Sequence, residues 1–240
     1  MVEGAPRLVT TNVRLKHRYD YEPLKVDPAS IARTLKVGHW RSNSADRPIS
    51  VFRRIRERHR LGGGWKNVRF HVTRNLQGGF IVDGDWDLDA RPFEIRPSVV
   101  DMFQRGVPAQ ETDEYQRILR KIEAGDYKWT RGCYSVDDLD RYFQRLEHLY
   151  AEIDAHGYRS QAELGLEGSD EIRVCVGRRG ELIIFGGGTH RLSIARILDI
   201  EVVPVLVKRV HARWVQDWID RTGTRDPMLA IDRGLTQLSL

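Results

Sequence analysis

Between Glu171 and Val207 the hydrophobic rhythm of the chain changes several times, and each rhythm predicts an element. Ile172, Val174 and Val176 fall at alternate positions, the period of a strand, and Arg178-Arg179-Gly180 supplies a turn. Leu182 to Phe185 is a short continuous apolar run that suits a buried strand. After Gly186, Gly187 and Gly188, the residues Leu192, Ile194, Ala195, Ile197 and Leu198 recur at helical spacing, with Thr189 placed to cap that helix. Val202 to Val207 then returns as a strand, with Pro204 near its start, where a missing N–H does least harm.

The same reading extends to the rest of the chain. Met1 to Arg18 is polar and punctuated, an arm or an edge strand. Leu24 to Val26 predicts a strand, Asp27-Pro28 a turn, and Ser30 onward a short helix. Lys66–Thr73 and Phe80–Asp83 predict a hairpin around Gln77-Gly78-Gly79. Residues 97–165 are mostly helical by pattern. Tyr115, Ile118, Leu119 and Ile122 mark one helix; Leu139, Phe143, Leu146, Leu149, Tyr150 and Ile153 mark a second, opened by Asp137 and Asp138 and closed by Gly157. Trp214 and Trp218 stand four apart in a further helix, HARWVQDWID, and the last twenty or so residues predict a tail with a short helix at most.

Composition narrows the class. With 240 residues the chain is long enough to bury a sizeable core. No apolar run approaches bilayer length, and the N-terminus has no apolar signal core, so a soluble protein is expected. Cys133 and Cys175 lack metal or redox spacing, which points to a reduced, cytoplasmic setting. The net charge of +5 is unevenly placed: residues 1–75 carry 17 Lys/Arg against 6 Asp/Glu, and the remainder 22 against 28. That asymmetry suits an acidic partner, or a basic surface that is simply solvated.

The glycine loop is the first candidate site. Opening helical N–H groups have no internal partner, the helix dipole favours an anion, and glycines let the backbone approach it. Gly187, Gly188, Thr189, His190 and Arg191 are the candidate nucleotide-binding residues, and Arg191 is the strongest because a guanidinium matches phosphate bidentately. The alternative is a tight turn with His190 and Arg191 merely exposed; no Walker lysine or complete dinucleotide fingerprint is present.

On these residues, IIFGGGTHRLSIARILDIEVVPVLV resembles the signature of the ParB/sulfiredoxin-like superfamily, in which a strand, a G-x-H-R or related loop, a helix and a "vPv" strand follow one another. Gly188, Thr189, His190 and Arg191 match the loop. The resemblance implies an α+β fold: a small mixed sheet with packed helices, carrying a large, partly helical insertion. It divides the chain into an arm with the first core strand and helix (1–39), the insertion (40–134), the core with the loop (135–210) and a C-terminal helix and tail (211–240). It also implies nucleotide phosphates at the loop, ATP or ADP as in the free-serine kinases, or CTP as in partition proteins. Thr189 stands where sulfiredoxin has its catalytic cysteine, which argues against sulfinic-acid reduction. Gly187 stands where other members have an acid, whose role must then be supplied elsewhere or be absent.

Two other stretches carry candidate chemistry. Asp83-Gly84-Asp85-Trp86-Asp87-Leu88-Asp89 places four acids in seven residues. Asp85 and Asp87 are candidates for holding Mg²⁺ or acting as a base beside His190, though a solvated turn is the plain alternative. Arg47 to Arg60 sets Ile49, Phe52 and Ile55 among arginines. Arg53, Arg54, Arg56, Arg58 and Arg60 form a basic amphipathic segment suited to nucleic acid or an anionic membrane surface, or to a solvated helix docking one apolar stripe. Trp129, Arg131, His148 and Tyr158 are scattered polar and aromatic candidates, each more often packing than chemistry. Three functions compete: a phosphotransferase acting on a small-molecule or glycan-type acceptor, a DNA-binding or nuclease protein of the ParB type, and a non-catalytic nucleotide-binding scaffold. The first needs a base or metal-binding acid facing the loop, the second a continuous basic face, and the third neither.

Overall fold

A computed structural model describes residues 23–35, 81–82, 84–161, 163–165, 171–224 and 226–240. Its frame is a mixed sheet built from β1 (Leu24–Val26), β2 (Arg33–Leu35), β3 (Ile81–Val82), β4 (Arg91–Pro92), β5 (Ile172–Val176), β6 (Leu182–Phe185) and β7 (Val203–His211). The strand order is β1-β7-β5-β6-β2-β4, with β3 also on β7. β5 and β6 form an antiparallel hairpin, whereas β5 with β7 and β6 with β2 run parallel. The mixed α and β composition agrees with the class expected from the sequence.

The six described helices are α1 (Pro97–Phe103), α2 (Asp113–Glu123), α3 (Val136–His156), α4 (Thr189–Ile197), α5 (Ala212–Thr222) and α6 (Pro227–Leu238). Two apolar clusters account for most of the packing. One joins Ile172, Val174, Val205 and Val207 of the sheet to Leu192 of α4, Trp214 of α5, and Ile231 and Leu235 of α6. The other joins Val99, Ile118, Leu139 and Phe143 of α1–α3 to Ile194 of α4. Helix α4 therefore lies between the sheet and the α1–α3 group, burying one stripe against each.

Several expectations are corrected. The helix expected from Ser30 is a 3-10 turn over Pro28–Ser30, capped by Asp27, and the chain then enters β2. Ile31 is fully buried and Arg33–Leu35 pairs with β6, so sheet pairing overrides local helical pattern. Strand β7 runs past Val207 to His211: a bulge opposite Val174/Cys175 absorbs one residue and returns Val210 to the core face. The expected C-terminal tail is a 12-residue helix, capped by Asp226 with Pro227 in its first turn. Gly234 lets α6 lie on the indoles of Trp214 and Trp218, since a Cβ there would come within 2.6 Å of Trp214 Cη2. Of the expected hairpin, Ile81–Val82 appears as β3 on β7, while Phe80, Asp83 and Lys66–Thr73 lie outside the described residues, as do Met1–Arg18, Arg53, Arg54, Arg56, Arg58 and Arg60. The two long predicted helices appear as α2 and α3; Ser135 caps α3 and Gly157 ends it. Among the described residues, no helix is long and apolar enough to cross a membrane.

Candidate functional site

The loop between β6 and α4 is shaped by two glycines in the left-handed region, Gly186 at φ 77° and Gly188 at φ 78°. Gly188, not Thr189, occupies the cap position of α4, and Thr189 is the first helical residue. A Cβ on Gly188 would overlap the backbone at the start of β5, 2.8 Å from Ile172 N and 2.9 Å from Glu171 O. Close approach of two backbones thus demands glycine here. No side chain caps α4, and the first helical bond is Leu192 N–H to Gly188 O. The N–H groups of Thr189, His190 and Arg191 donate to no described residue, and they stand at the positive end of the α4 dipole.

His190 points to the α1–α3 side. Its Nε2 lies 3.3 Å from the Tyr142 hydroxyl and 3.9 Å from Glu114 Oε2. Glu114 also accepts from Ser98 Oγ at 2.6 Å and from Arg131 Nε and Nη2 at 3.1 and 2.9 Å, with Arg117 3.7 Å away. Burial alone would raise the Glu114 pKa, but the nearby His190 and the bonds from Ser98 and Arg131 overcome it and hold this carboxylate far below the usual range. Burial pushes the His190 imidazole the other way, toward the neutral form, with Glu114 opposing. The Tyr142 phenol is pushed up to about 12, chiefly by burial. Arg96 belongs to the same group: its backbone N–H donates to Ser193 Oγ at 3.0 Å, and Ser193 Oγ donates to Thr189 O at 2.8 Å.

Arg191 projects about 100° round α4 from His190, as the next helical residue must. Its guanidinium carbon sits 5.8 Å from the centroid of the Tyr158 ring, a cation–π arrangement. The Tyr158 hydroxyl donates to Glu171 Oε2 at 3.4 Å, and Gln161 N–H donates to Glu171 Oε1. Burial raises the Glu171 pKa, opposed by the Gln161 N–H and by the Arg191 charge. The two loop side chains therefore accompany these amides, each steadied by its own tyrosine–glutamate pair.

The acidic turn is elsewhere. Asp87 is fully buried and takes both Nε and Nη2 of Arg178, at 2.7–3.0 Å, besides the Arg178 backbone N–H at 2.8 Å. Asp85 meets the same guanidinium at 2.7 Å. His211 Nδ1 accepts from Arg213 N–H at 3.0 Å, which leaves the proton on Nε2 to donate to Gly84 O at 2.7 Å; Trp86 stacks on the His211 ring with centroids 5.6 Å apart. Burial would raise the Asp87 pKa, but the Arg178 bonds and the nearby charges outweigh it and the net direction is down. Arg178 belongs to the β5–β6 turn, at the opposite end of β6 from the glycine loop; the four residues of β6 span about 13 Å. The structure thus brings Thr189, His190 and Arg191 together and keeps Asp85 and Asp87 away from them. Among the described residues, no three His, Cys, Asp or Glu side chains are grouped to hold a metal ion.

Of the scattered candidates, Arg131 and Tyr158 join the loop while His148 and Trp129 stay exposed. Glu114, Arg96, Tyr142 and Glu171 escaped sequence reasoning, since each lies far from the loop in sequence and carries no motif. Comparison with family models, with curated proteins and with solved structures finds no match to this chain.

Proposed function

We propose that this chain binds nucleotide phosphates at Gly186–Arg191 and transfers a phosphoryl group from ATP to a small-molecule or glycan-type acceptor. The observation that carries the reading is the opening of α4: three backbone amides with no partner among the described residues, behind two left-handed glycines and accompanied by His190 and Arg191. The likeness of Phe185–Val207 to the ParB/sulfiredoxin-like signature supports it from the sequence side. The amides of Thr189, His190 and Arg191 would hold phosphate oxygens, and the Arg191 guanidinium, kept over Tyr158, would supply charge. Asp85 and Asp87 do not fit a metal-binding or basic role at this loop, because Arg178 holds both of them at the far end of β6.

The base falls instead to His190. Burial favours its neutral imidazole, and Nε2 sits at 3.3 Å from the Tyr142 hydroxyl. In that role Nε2 takes the proton of the acceptor hydroxyl as its oxygen bonds the γ-phosphorus of ATP; the bond from that phosphorus to the β-phosphate oxygen breaks, ADP leaves with the electron pair, and Glu114 steadies the imidazolium that results. The test is calorimetric titration with ATP and ADP, followed by a screen of hydroxyl-bearing acceptors read by ADP release. Saturable binding of either nucleotide with acceptor-dependent ADP release is expected. Absence of any nucleotide binding overturns the reading.

A further inference from the structure

Among the described residues, the group around Glu114 is out of electrical balance. Arg96, Arg117 and Arg131 surround one carboxylate, and both of its oxygens are already engaged, Oε1 by Arg131 and Oε2 by Ser98. Arg96 is the side chain left over. Its Nε is buried without a hydrogen-bond partner, and among the described residues its guanidinium makes no ion pair. Arg131 and Arg117 lie close enough to repel its charge. A buried guanidinium nitrogen without a hydrogen-bond partner is costly, and native structures satisfy such groups in almost every case. Glu114 is the only described counter-charge, shared among three arginines, and an added oxyanion would meet both needs.

We infer that Arg96 and Arg131, beside His190, form a second anion site on the α1–α3 side of the loop, distinct from the α4 amides, which binds a carboxylate or phosphate group of the acceptor. The word acceptor rests on the proposed phosphotransferase reading; the anion site rests on Arg96, Arg131 and Glu114 alone. The arrangement is built for such a guest. Arg131 is held in place by two bonds to Glu114, and its backbone lies in the left-handed region at φ 60°, in the α2–α3 connection that also contains Trp129 at φ 65°. Arg96 is fixed through its own N–H to Ser193 of α4. Both guanidiniums are thereby set around His190, whose imidazole feels the charge of each. An acceptor anchored there by an anionic group would bring its hydroxyl to Nε2.

The experiment titrates inorganic phosphate into the ADP-saturated chain by calorimetry, and repeats it with Arg96→Gln and with Glu114→Gln. Phosphate is expected to bind although the loop is filled. Arg96→Gln should weaken it by about tenfold or more, the scale of a lost charge-assisted pair, while ADP affinity stays unchanged. Glu114→Gln removes the only described negative charge of the cluster and should tighten phosphate, a change of sign that mere structural damage does not produce. Acetate that displaces the phosphate assigns a carboxylate guest; acetate without effect assigns a phosphate ester. Phosphate binding that is absent, or that is indifferent to both substitutions, overturns the inference. Should the chain bind no ADP, the nucleotide reading fails by itself, and titration of the bare chain still decides the anion site through the same two variants.

Discussion

Three adjacent glycines with different surroundings give a graded test of how the loop is built. Gly186 is left-handed with nothing within 4 Å of an added Cβ, so Gly186→Ala costs only the backbone strain, about 1–2 kcal/mol. Gly187 is not left-handed, and its Cβ would meet Arg173 Cδ at 3.3 Å, the movable end of a long side chain. Gly187→Ala is therefore expected to be near neutral, within about 0.5 kcal/mol. Gly188 combines both penalties: the strain of a φ of 78° and overlap with the backbone of Ile172 and Glu171, at 2.8 and 2.9 Å. The backbone cannot swing aside as a side chain can, since Ile172 is fully buried in the main core and pairs with Val205. Overpacking of this kind adds about 1–3 kcal/mol, for a total of about 2–5 kcal/mol. Urea unfolding of the three variants measures the order directly, through midpoints at constant slope. The expected order of loss is Gly188 well above Gly186, and Gly186 above Gly187. A Gly188→Ala chain no less stable than Gly186→Ala would refute the close approach of loop and β5 on which the site depends.

The acidic turn gives a contrast within one cluster: Asp87→Ala strands Arg178 beside a buried gap and should cost about 3–5 kcal/mol, whereas Asp85→Ala, on a carboxylate 79 % exposed, should cost under about 1 kcal/mol. Equal effects in thermal unfolding would contradict the placement of Asp87. The pH dependence has a defined sign. The folded pKa of Asp87 is depressed, so its contribution is present above the unfolded value near 3.9 and is lost as pH falls through the folded one. Stability curves of wild type and Asp87→Ala should converge in acid below about pH 4, and curves parallel throughout would rule that contribution out. For His190, burial lowers the pKa below its ordinary 6.5, so a proton titration by NMR should find a neutral imidazole at neutral pH; a midpoint above 7 would remove it as a base.

Local signals made much of this fold legible. Alternation at Ile172–Val176, the apolar run Leu182–Phe185 and the helical stripe after Gly188 are short-range patterns, and each element appears where its pattern stands. Pairing across long separations was not legible. Arg33–Leu35 became a strand because β6 offered it an edge some 150 residues away, which a helix-like window around Ser30 does not encode. The C-terminal helix had its signals, Asp226-Pro227 at the start and a buried stripe of Ala230, Ile231 and Leu235. What local pattern does not carry is the surface of Trp214 and Trp218 on which this helix packs through Gly234. For the site, the glycine spacing located the loop, but Asp85 and Asp87 were grouped with it on residue type alone. Their partner, Arg178, sits in a hairpin turn that reads as ordinary punctuation. Glu114, Arg96 and Tyr142 reach His190 only because α1, α2 and α3 fold against α4.

The binding of ATP to the wild-type chain and to Arg191→Ala, measured side by side by calorimetry, bears on the nucleotide reading with the fewest intervening assumptions. Arg191 is half-buried over Tyr158 and beside the buried Glu171 carboxylate, so its loss should cost about 1–2 kcal/mol in urea unfolding and leave the chain folded. Saturable ATP binding by the wild type, weakened by about tenfold or more in Arg191→Ala, is the expected result. Equal affinity in a folded Arg191→Ala chain, or no binding by the wild type, would contradict the assignment of phosphate to the Gly186–Arg191 loop.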